Sequence, residues 1–479
     1  MANTSNRKQA IVIGGGITGL TACYRLVAES RKRGISLDVK LFEARDRVGG
    51  VIHTSKQDGF ILEHGPDSFI TTEPWAKALC EELGIANQLI GANPEQRRSF
   101  IVRKGKLCSV PEGFYMLAPA SLLPFVMTPI FSWPGKLRMA LDLLIPRRRS
   151  DQDESVDNFV KRRLGKEAFT RMAQPMISGI YTADAENLSL KATLPQFIKM
   201  EQEYGSIIKG LIARKKQSKG GSSGTSGPRY SLFLSFKYGM QTLTDTLIER
   251  LPANCIQLAS KVDRVEYFTD QRRWDIYLDN QQKLQADLVC ITLPAPCVAM
   301  LVKTAAPEMS DLLTSIPYAS SAAVNLAFRR EDVAHPLNGM GFVVPTIERR
   351  SILGCSFSSV KFEGRAPGDQ VLLRAFVGGA LHPNRLLQSD PELLEAVLKD
   401  LRELLGLKGE PTLAIVSRHA GAMAQYHLGH LDKVAKIENH ARQLSGFALA
   451  GGAYRGRGVP NCIHSAEEAA HSLLDFLMN

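Results

Sequence analysis

Hydrophobic positions near the amino end follow a strand pattern, then a helix pattern, then a strand pattern again. The apolar run Ala10–Ile13 predicts a buried strand. Leu20, Tyr24 and Val27 then recur at helical spacing. The segment Leu37–Ala44 returns to alternating apolar and polar residues. This order predicts a β-α-β unit with a glycine-rich turn between its first strand and its helix.

The remaining pattern divides the chain into a helical middle and strand-rich regions. Residues 111–210 are mainly helical in pattern. Strand patterns resume at 261–295 and continue through a mixed region at 315–411. The chain closes with a short strand and a helix predicted to begin at Ser465, where Ser465 and Glu468 form a capping-box pattern. We therefore expect an α/β protein (α+β overall).

One apolar segment, 113–135, contains no charged residue and approaches the length of a membrane span. Prolines recur in it every five residues, at positions 119, 124, 129 and 134. Each proline removes a helix hydrogen bond and restricts the residue before it. We expect short apolar helices or turns, which line a pocket, rest on a membrane surface or pack within a buried subdomain.

Composition narrows the class of protein. The 479 residues exceed one ordinary core, and 59 Lys and Arg against 48 Asp and Glu give a formal charge of +11. The basic residues lack interleaved aromatics, so we expect no nucleic-acid binding. The eight cysteines form neither CxxC pairs nor metal-ligand clusters, which predicts no metal site and a reducing compartment. The amino end has no signal-peptide pattern, and a cytoplasmic location is expected.

The turn after the first strand carries a nucleotide-binding motif. Gly14, Gly16 and Gly19 satisfy G-x-G-x-x-G between a predicted strand and a predicted helix, the context in which this motif seats a pyrophosphate. Glu43 ends the second strand, where a carboxylate accepts ribose hydroxyls and repels a 2′-phosphate. The sequence predicts a dinucleotide site, and a glycine turn without a ligand is the alternative.

A second glycine pair follows this unit directly. Arg47, Gly49 and Gly50 are not required in a simple NAD domain, whereas a longer dinucleotide needs further backbone contact and a phosphate counter-charge. Near the carboxyl end, the predicted helix directs its positive end at Val459–Cys462, which suits the pyrimidine edge of a reduced flavin. The alternatives are a surface salt bridge for Arg47 and an ordinary capped terminal helix.

Six segments, taken in order, resemble the FAD-dependent porphyrinogen oxidases: IVIGGGITGL, LFEARDRVGG, DGFILEHGPDSF, MISGIYTAD, QYHLGH and GVPNCI. The resemblance covers essentially the whole chain. It is nearest to the soluble protoporphyrinogen or coproporphyrinogen III oxidases of Bacillus-like bacteria. The first two segments are shared with the wider flavin amine oxidase and phytoene desaturase superfamily, whereas GPDSF, SGIY and QYHLGH are narrower signals.

The resemblance implies a Rossmann-like FAD-binding domain interleaved with a mixed-sheet substrate domain and a helical subdomain. The FAD-binding domain is expected to comprise 7–60, 236–300 and 412–479. The substrate-binding domain is expected to comprise 61–110, 178–235 and 301–411, and the helical, membrane-binding-like subdomain 111–177.

The resemblance also implies roles for individual residues around non-covalently held FAD. Glu43 is expected at the adenosine ribose and the Val262 backbone at the adenine. The full set of expected FAD contacts is Gly14, Gly15, Gly16, Ile17, Thr18, Gly19, Glu43, Ala44, Arg47, Gly49, Gly50, Gly65, Pro66, Asp67, Ser68, Val262, His419, Val459, Pro460 and Asn461. Substrate contacts are expected from Ile180, Arg455 and Arg457. No catalytic side chain is assigned, because the chemistry takes place at the flavin.

Three of these positions depart from relatives. His419 stands where relatives carry Trp, which leaves its contact with the flavin open. Arg455 and Arg457 stand where acidic or apolar residues are common, and solvent-facing loop arginines are the alternative for both. Cys462 raises the question of a covalent flavin link, for which a buried thiol is the alternative.

The implied reaction is the oxygen-dependent six-electron oxidation of a porphyrinogen in haem biosynthesis, with H₂O₂ as by-product. The substrate is coproporphyrinogen III, protoporphyrinogen IX or both, and the basic surface favours the first, which has four carboxylates. Ferrochelatase is a candidate partner, and membrane contact is peripheral at most. Two alternatives stay open: a flavin oxidase of amines or carotenoids, and a porphyrin-binding flavoprotein without activity.

Overall fold

The computed structural model of the chain describes residues 7–111, 113–115, 117–220 and 232–479. The side chains of residues 115, 180 and 216–220 lie outside the described part, as do residues 1–6 and most of the Gly- and Ser-rich segment 215–229.

The described strands, β1 to β22 in chain order, are Lys8–Ile13, Leu37–Phe42, Thr54–Gln57, Phe60–Glu63, Phe69–Ile70, Leu89–Gly91, Phe100–Arg103, Lys106–Ser109, Phe114–Tyr115, Ala118–Pro119, Phe233–Phe236, Ile256–Gln257, Val262–Phe268, Arg273–Leu278, Lys283–Ala286, Leu288–Ile291, Tyr318–Arg329, Gly341–Val343, Ile352–Phe357, Gln370–Gly378, Leu413–Ala424 and Phe447–Leu449. The described helices, α1 to α17, are Ile17–Lys32, Trp75–Glu82, Leu122–Met127, Trp133–Ala140, Val156–Arg163, Lys166–Ala168, Gln174–Tyr181, Leu190–Thr193, Pro195–Tyr204, Ile207–Gly220, Gln241–Glu249, Ala295–Val302, Pro307–Thr314, Ser358–Lys361, Asp390–Leu405, His430–Arg442 and Val459–Met478.

A parallel sheet joins the two ends of the chain, in the strand order β12-β2-β1-β16-β22. Its central strands read as apolar runs because both faces are covered. Helices α1 and α17 pack against each other beside this sheet, with Leu20 and Ile463 fully buried between them. The carboxyl ends of β1, β16 and β22 therefore meet at one edge, which is where open α/β sheets bind ligands. The predicted β-α-β unit is confirmed.

A second, seven-stranded sheet has the order β21-β17-β20-β19-β18-β7-β8. Its pairs are antiparallel except for β18 with β7. Helix α15 belongs to the same apolar cluster as this sheet through a stripe of buried leucine and valine, including Leu393, Val397 and Leu401. The mixed α/β architecture expected from the sequence is confirmed.

The carboxyl-terminal helix begins earlier than the sequence pattern indicated. Helix α17 starts at Val459, after Gly458 with a φ of 92°, and Pro460 occupies its first turn. Ser465 lies inside the helix, where its Oγ accepts a hydrogen bond from the Gly451 N–H at 3.1 Å. The predicted start at Ser465 and its capping box are therefore wrong, because Gly458 and Pro460 supply a stronger helix-start signal.

The proline-rich segment 113–135 contains short elements, as predicted, rather than one helix. Helices α3 and α4 interrupt it, and they expose large apolar side chains such as Leu123, Met127 and Trp133. Among the described residues, no helix combines the length and the apolar character that crossing a membrane requires.

The predicted domain limits stay a prediction. The strands of the parallel sheet all fall within the segments expected to bind FAD. Strand β21, which lies in the expected segment 412–479, pairs instead with the seven-stranded sheet through β17.

Candidate cofactor and substrate site

The turn between β1 and α1 leaves space at one glycine and none at another. A Cβ at Gly19 would lie 1.8 Å from the Gly14 carbonyl oxygen, so only glycine allows the helix to pack this closely. A Cβ at Gly16 would meet nothing nearer than the Gly50 Cα at 4.0 Å. Gly16 caps α1 without a side-chain hydrogen bond. This arrangement, an open glycine at the amino end of a helix that has no side-chain cap, forms a cradle of the kind in which a pyrophosphate binds.

Glu43 lies directly beside this cradle. Its Oε2 accepts the Gly15 N–H at 2.7 Å and its Oε1 accepts the Arg45 N–H at 3.0 Å. The Ser260 N–H donates to the Glu43 carbonyl oxygen at 2.9 Å, which brings the start of β13 at Val262 to the same side of the sheet. The structure therefore places Glu43 and the 259–262 segment together, and it leaves Ala44 exposed next to them.

The second glycine pair is bound to the first. The Gly49 N–H donates to the Gly15 carbonyl oxygen at 2.7 Å, and Gly50 packs against Gly16. Arg47 donates to backbone carbonyls of this same loop, including Gly50 at 2.9 Å. The guanidinium thus holds the loop in shape and lies beside the cradle.

The segment that follows β4 is fixed by charged groups. A Cβ at Gly65 would lie 1.7 Å from the Val51 carbonyl oxygen, and Arg374 donates through Nη2 to the Gly65 carbonyl oxygen. Asp67 accepts hydrogen bonds from Lys361 Nζ at 3.0 and 3.1 Å. Burial alone would raise the pKa of Asp67, but the charges of Lys361 and Arg374 hold it well below its usual range.

His419 holds the same segment from the seven-stranded sheet. Its Nε2 lies 2.7 Å from the His64 carbonyl oxygen, an acceptor, so Nε2 carries the proton. The His64 ring bridges Ser55 and Ser417, each at 2.8 Å. Burial lowers the pKa of His419, and it lowers that of His64 to about 4, so both rings are neutral near pH 7.

Sequence reasoning missed the charged residues of this region. Arg374 and Lys361 come from β20 and α14, far along the chain, and they reach residues 65–68 only through the packing of the two sheets. No local spacing marks them. In the sequence, Arg374 lies within a strand pattern and Lys361 within the mixed region, so neither was recognised as part of the site.

The amino end of α17 completes the arrangement. Val459 and Pro460 are buried, and the Asn461 side chain donates to the Arg457 carbonyl oxygen at 3.0 Å. Gly451 lies beside Thr18 at the start of α1. Burial raises the pKa of Cys462, so its thiol is protonated near pH 7 and is not an activated nucleophile.

The two predicted loop arginines have different surroundings. Arg455 is exposed, and its Nε and Nη2 donate to the two carboxylate oxygens of Glu438. Arg457 turns inward and donates through Nη1 to the carbonyl oxygens of Ala424 at 2.7 Å and Tyr181 at 3.3 Å. Tyr181 ends α7, the helix that also contains Ile180, whose side chain lies outside the described residues.

The amino ends of α1 and α17, the glycine pairs and Glu43 thus converge at the carboxyl edge of the parallel sheet. The 63–68 segment and the end of α7 approach this edge from the seven-stranded sheet and the helical region. Such a cradle at the carboxyl edge of a parallel sheet is typical of α/β proteins that bind a dinucleotide.

The comparison with protein families agrees with this class. Residues 17–474 match the model of the flavin containing amine oxidoreductases, and the chain belongs to this family. FAD is accordingly its cofactor, and the cradle fits it, because Gly16 leaves room for the approach of a pyrophosphate and Gly19 lets α1 pack closely against β1.

Curated relatives extend over the whole chain. Coproporphyrinogen III oxidase of Bacillus subtilis (strain 168) is 32% identical, covering 99% of this chain and 100% of its own length. Coproporphyrinogen III oxidase of Propionibacterium freudenreichii is 34% identical, covering 97% of this chain and 90% of its own length.

A solved structure shows the same fold. A crystal structure from Exiguobacterium sp. 255-15, assigned provisionally as a protoporphyrinogen oxidase, is 32% identical with a TM-score of 0.85. The alignment covers 98% of this chain and 99% of the Exiguobacterium chain.

Proposed function

We propose that this protein oxidises coproporphyrinogen III to coproporphyrin III in haem biosynthesis. The reaction consumes three O₂ and releases three H₂O₂ for the six electrons and six protons removed from one macrocycle. FAD, when bound, would supply the hydride acceptor for this chemistry, with O₂ as the final electron acceptor. Oxidation of protoporphyrinogen IX by the same site is the second arm of the proposal.

One observation supports this reading beyond the names of the relatives. Arg457, from the loop before α17, donates to the last carbonyl of α7. The loop expected at the flavin therefore lies directly against the helix end expected at the substrate. A large apolar macrocycle edged with carboxylates fits a site where a cationic side chain meets an apolar helix end.

The proposed FAD contacts are those expected from the sequence, except for His419, which we propose as a positioning residue, and the structure supports different roles for the rest. Gly14, Gly16 and Gly19 seat the pyrophosphate, and Glu43 meets the ribose. The Val262 backbone lies on the same side as Glu43, and we place it at the adenine. The amino end of α17 would direct its free N–H groups at the flavin pyrimidine and would stabilise negative charge there.

The other residues position this arrangement. Arg374, Lys361 and His419 hold the 64–68 segment in place, so that Gly65 and Asp67 pass beside the flavin. We leave Arg455 out of the proposed site, because Glu438 already occupies its guanidinium. We assign no general acid or base, since positioning and electrostatics account for the hydride transfer.

Anaerobic mixing tests the proposal. We expect coproporphyrinogen III to bleach the 450 nm flavin band of the purified holoenzyme within the time of one turnover. In air, porphyrin, measured by its fluorescence, and H₂O₂ should then form in a molar ratio of one to three. A flavin that stays oxidised with both porphyrinogens would contradict the proposal and favour a porphyrin-binding flavoprotein without activity.

The substrate preference and the alternative of amine oxidation are tested by two further experiments. We expect a higher kcat/KM for coproporphyrinogen III than for protoporphyrinogen IX, because a cationic residue near the site favours the tetracarboxylate. A faster reaction with the dicarboxylate would reverse this preference. Bleaching by a panel of primary amines or polyamines, in the absence of bleaching by porphyrinogens, would assign the chain to amine oxidation.

We also propose that the apolar surface of α3 and α4 rests on a lipid bilayer. Leu123, Met127 and Trp133 are 74%, 75% and 65% exposed, and Leu144 nearby is 79% exposed. Neighbouring exposed apolar groups of this kind mark contact surfaces. Flotation with anionic vesicles should carry the wild-type protein upward and leave a Leu123→Ser/Met127→Ser variant behind. Equal flotation of both would contradict this proposal.

A further inference from the structure

Arg457 carries a buried guanidinium with one unpartnered edge. Its Nη1 is bound to two carbonyl oxygens, of Ala424 and Tyr181. Its Nε and Nη2 are inaccessible to solvent and have no hydrogen-bond partner among the described residues. Leaving a buried charged donor without an acceptor is costly. The unpartnered edge therefore points to a ligand that brings acceptors with it.

The free edge is the one with which arginine holds a carboxylate side-on. Arg455, two positions earlier, directs the same two nitrogens at the two oxygens of Glu438. Arg162 directs them at Glu154, at 3.0 and 2.9 Å. The two parallel N–H groups match the spacing of carboxylate oxygens. Arg457 thus presents, unfilled, the geometry that this chain uses elsewhere to bind carboxylates.

Among the residues that the structure describes, none pairs a carboxylate with Arg457. Its guanidinium carbon lies 4.5 Å from the ring centroid of Tyr181 and 4.9 Å from that of Tyr426. Burial lowers the pKa of Arg457, and the charges that oppose this effect come from the same two tyrosines. The Tyr426 hydroxyl is bound to the Gly452 carbonyl oxygen at 2.9 Å, which fixes its ring beside the guanidinium.

We propose that the Nε and Nη2 edge of Arg457 receives one carboxylate of the substrate. This inference rests on the proposed function, which provides a macrocycle edged with carboxylates. Arg457 lies between the last residue of α7 and the first turn of α17. A carboxylate held there fixes which side of the macrocycle is turned to the flavin end of the site. Arg457 thereby sets both the orientation of the substrate and the preference for acidic porphyrinogens.

Binding at this edge includes a local movement. Because Nε and Nη2 are covered in this structure, a neighbouring side chain must move before a carboxylate reaches them. Pairing the buried charge offsets the cost of that movement, since the free protein holds the guanidinium only partly satisfied.

The test compares an acidic substrate with its neutral ester. KM is measured with coproporphyrinogen III and with its tetramethyl ester for the wild type, Arg457→Gln and Arg457→Lys. We expect Arg457→Gln to raise KM for the tetraacid by about 30-fold or more, because it removes one partner of a buried charge pair. Arg457→Lys keeps the charge without the fork and should show a smaller increase. KM for the ester should change less than twofold in both variants.

Arg455→Gln is the matched control. It removes one positive charge from the same loop, two positions away, but from a side chain that already binds Glu438 at the surface. We expect its KM for the tetraacid to stay within twofold of the wild type. An increase equal to that of Arg457→Gln would assign the effect to the general charge of the loop and overturn the inference.

Two readouts are independent of turnover. Fluorescence titration of the oxidised holoenzyme with coproporphyrin III should show weaker binding for Arg457→Gln, with unchanged binding of the porphyrin tetramethyl ester. The flavin absorption spectrum and the affinity for sulfite, which respond to charge at the flavin, should match the wild type. A changed sulfite affinity together with unchanged porphyrin binding would place Arg457 at the flavin and overturn the inference.

Failure of the proposed function gives a different result. If the wild type oxidises neither porphyrinogen, the proposed function fails, and the porphyrin titration still decides whether Arg457 binds carboxylates. If the wild type oxidises coproporphyrinogen III and neither variant changes KM, the function stands and the inference about Arg457 fails. Should Arg457→Gln not fold, Arg457→Lys carries the same comparison.

Discussion

Alanine at Gly16 and alanine at Gly19 should separate the requirements of the cofactor from those of the fold. At Gly19 the new methyl would lie 1.8 Å from the Gly14 carbonyl oxygen, far inside van der Waals contact. We expect a loss of about 3 kcal/mol in the free energy of unfolding, because the helix must move away from β1.

At Gly16 the new methyl meets only the Gly50 Cα, at 4.0 Å, and the backbone angles of −73° and 179° are allowed for alanine. Replacing the glycine at the helix cap with alanine lowers the free energy of unfolding slightly, whereas restricting the unfolded chain raises it. We expect stability to change by no more than about 0.5 kcal/mol. FAD should nevertheless bind at least tenfold more weakly, which corresponds to about 1.4 kcal/mol, because the methyl occupies the approach of the pyrophosphate.

Urea unfolding of the apoprotein measures the first quantity, and quenching of flavin fluorescence on titration with FAD measures the second. The two variants should differ in which quantity they lower. Gly19→Ala should lower the free energy of unfolding, whereas Gly16→Ala should keep that free energy and lower the affinity for FAD. If Gly16→Ala binds FAD as tightly as the wild type, the pyrophosphate does not lie over Gly16, and the reasoning from the cradle is refuted.

Three further predictions concern buried ionisable groups. Asp67→Asn leaves Lys361 and Arg374 without their carboxylate, so it should lower the free energy of unfolding by about 3–5 kcal/mol. Urea titration measures this loss, and an unchanged urea midpoint would contradict the role of this cluster. Burial lowers the pKa of His430 to about 4, below the value of about 6.5 in the unfolded chain, so the folded protein binds fewer protons. Stability should fall by up to about 3 kcal/mol as the pH drops from about 6.5 to about 4, and thermal unfolding of His430→Asn should show a shallower pH dependence than the wild type. Because burial raises the pKa of Cys462, acid precipitation should release all flavin as intact FAD into the supernatant, whereas a yellow pellet would indicate a covalent link.

The parts of the fold that could be predicted are those with short-range causes. Alternation and helical spacing gave β1, α1 and β2, because each pattern is complete within a few residues. The glycines at 14, 16 and 19 predicted a close backbone approach, and the structure shows one between Gly19 and Gly14. Proline spacing likewise predicted that 113–135 breaks into short helices.

The start of α17 was mispredicted because two local signals competed. A serine followed three residues later by glutamate resembles a helix cap, yet Gly458 and Pro460 had already provided one. Ser465 remains useful as an acceptor for the Gly451 N–H, which helps to join the glycine loop to the helix.

The charged surroundings of the site could not be predicted, because they depend on packing between distant segments. Lys361 reaches Asp67 across 294 positions, and Arg374 reaches Gly65 across 309. Arg457 was recognised as unusual from its sequence, but its unpartnered edge follows from which carbonyls lie near Nη1 and which groups do not lie near Nη2. Such facts appear only once the two sheets are assembled.

The parallel sheet also constrains how the protein is made. Strand β22 begins at residue 447 and completes a sheet whose first strand begins at residue 8. At elongation rates of about 5–20 residues per second, a ribosome needs roughly 20–90 s between these strands. Throughout that interval β1 lacks part of its sheet and α1 lacks α17. The nascent chain therefore emerges with its nucleotide cradle unfinished, and the amino end of α17 joins the cradle only after residue 459 has been synthesised.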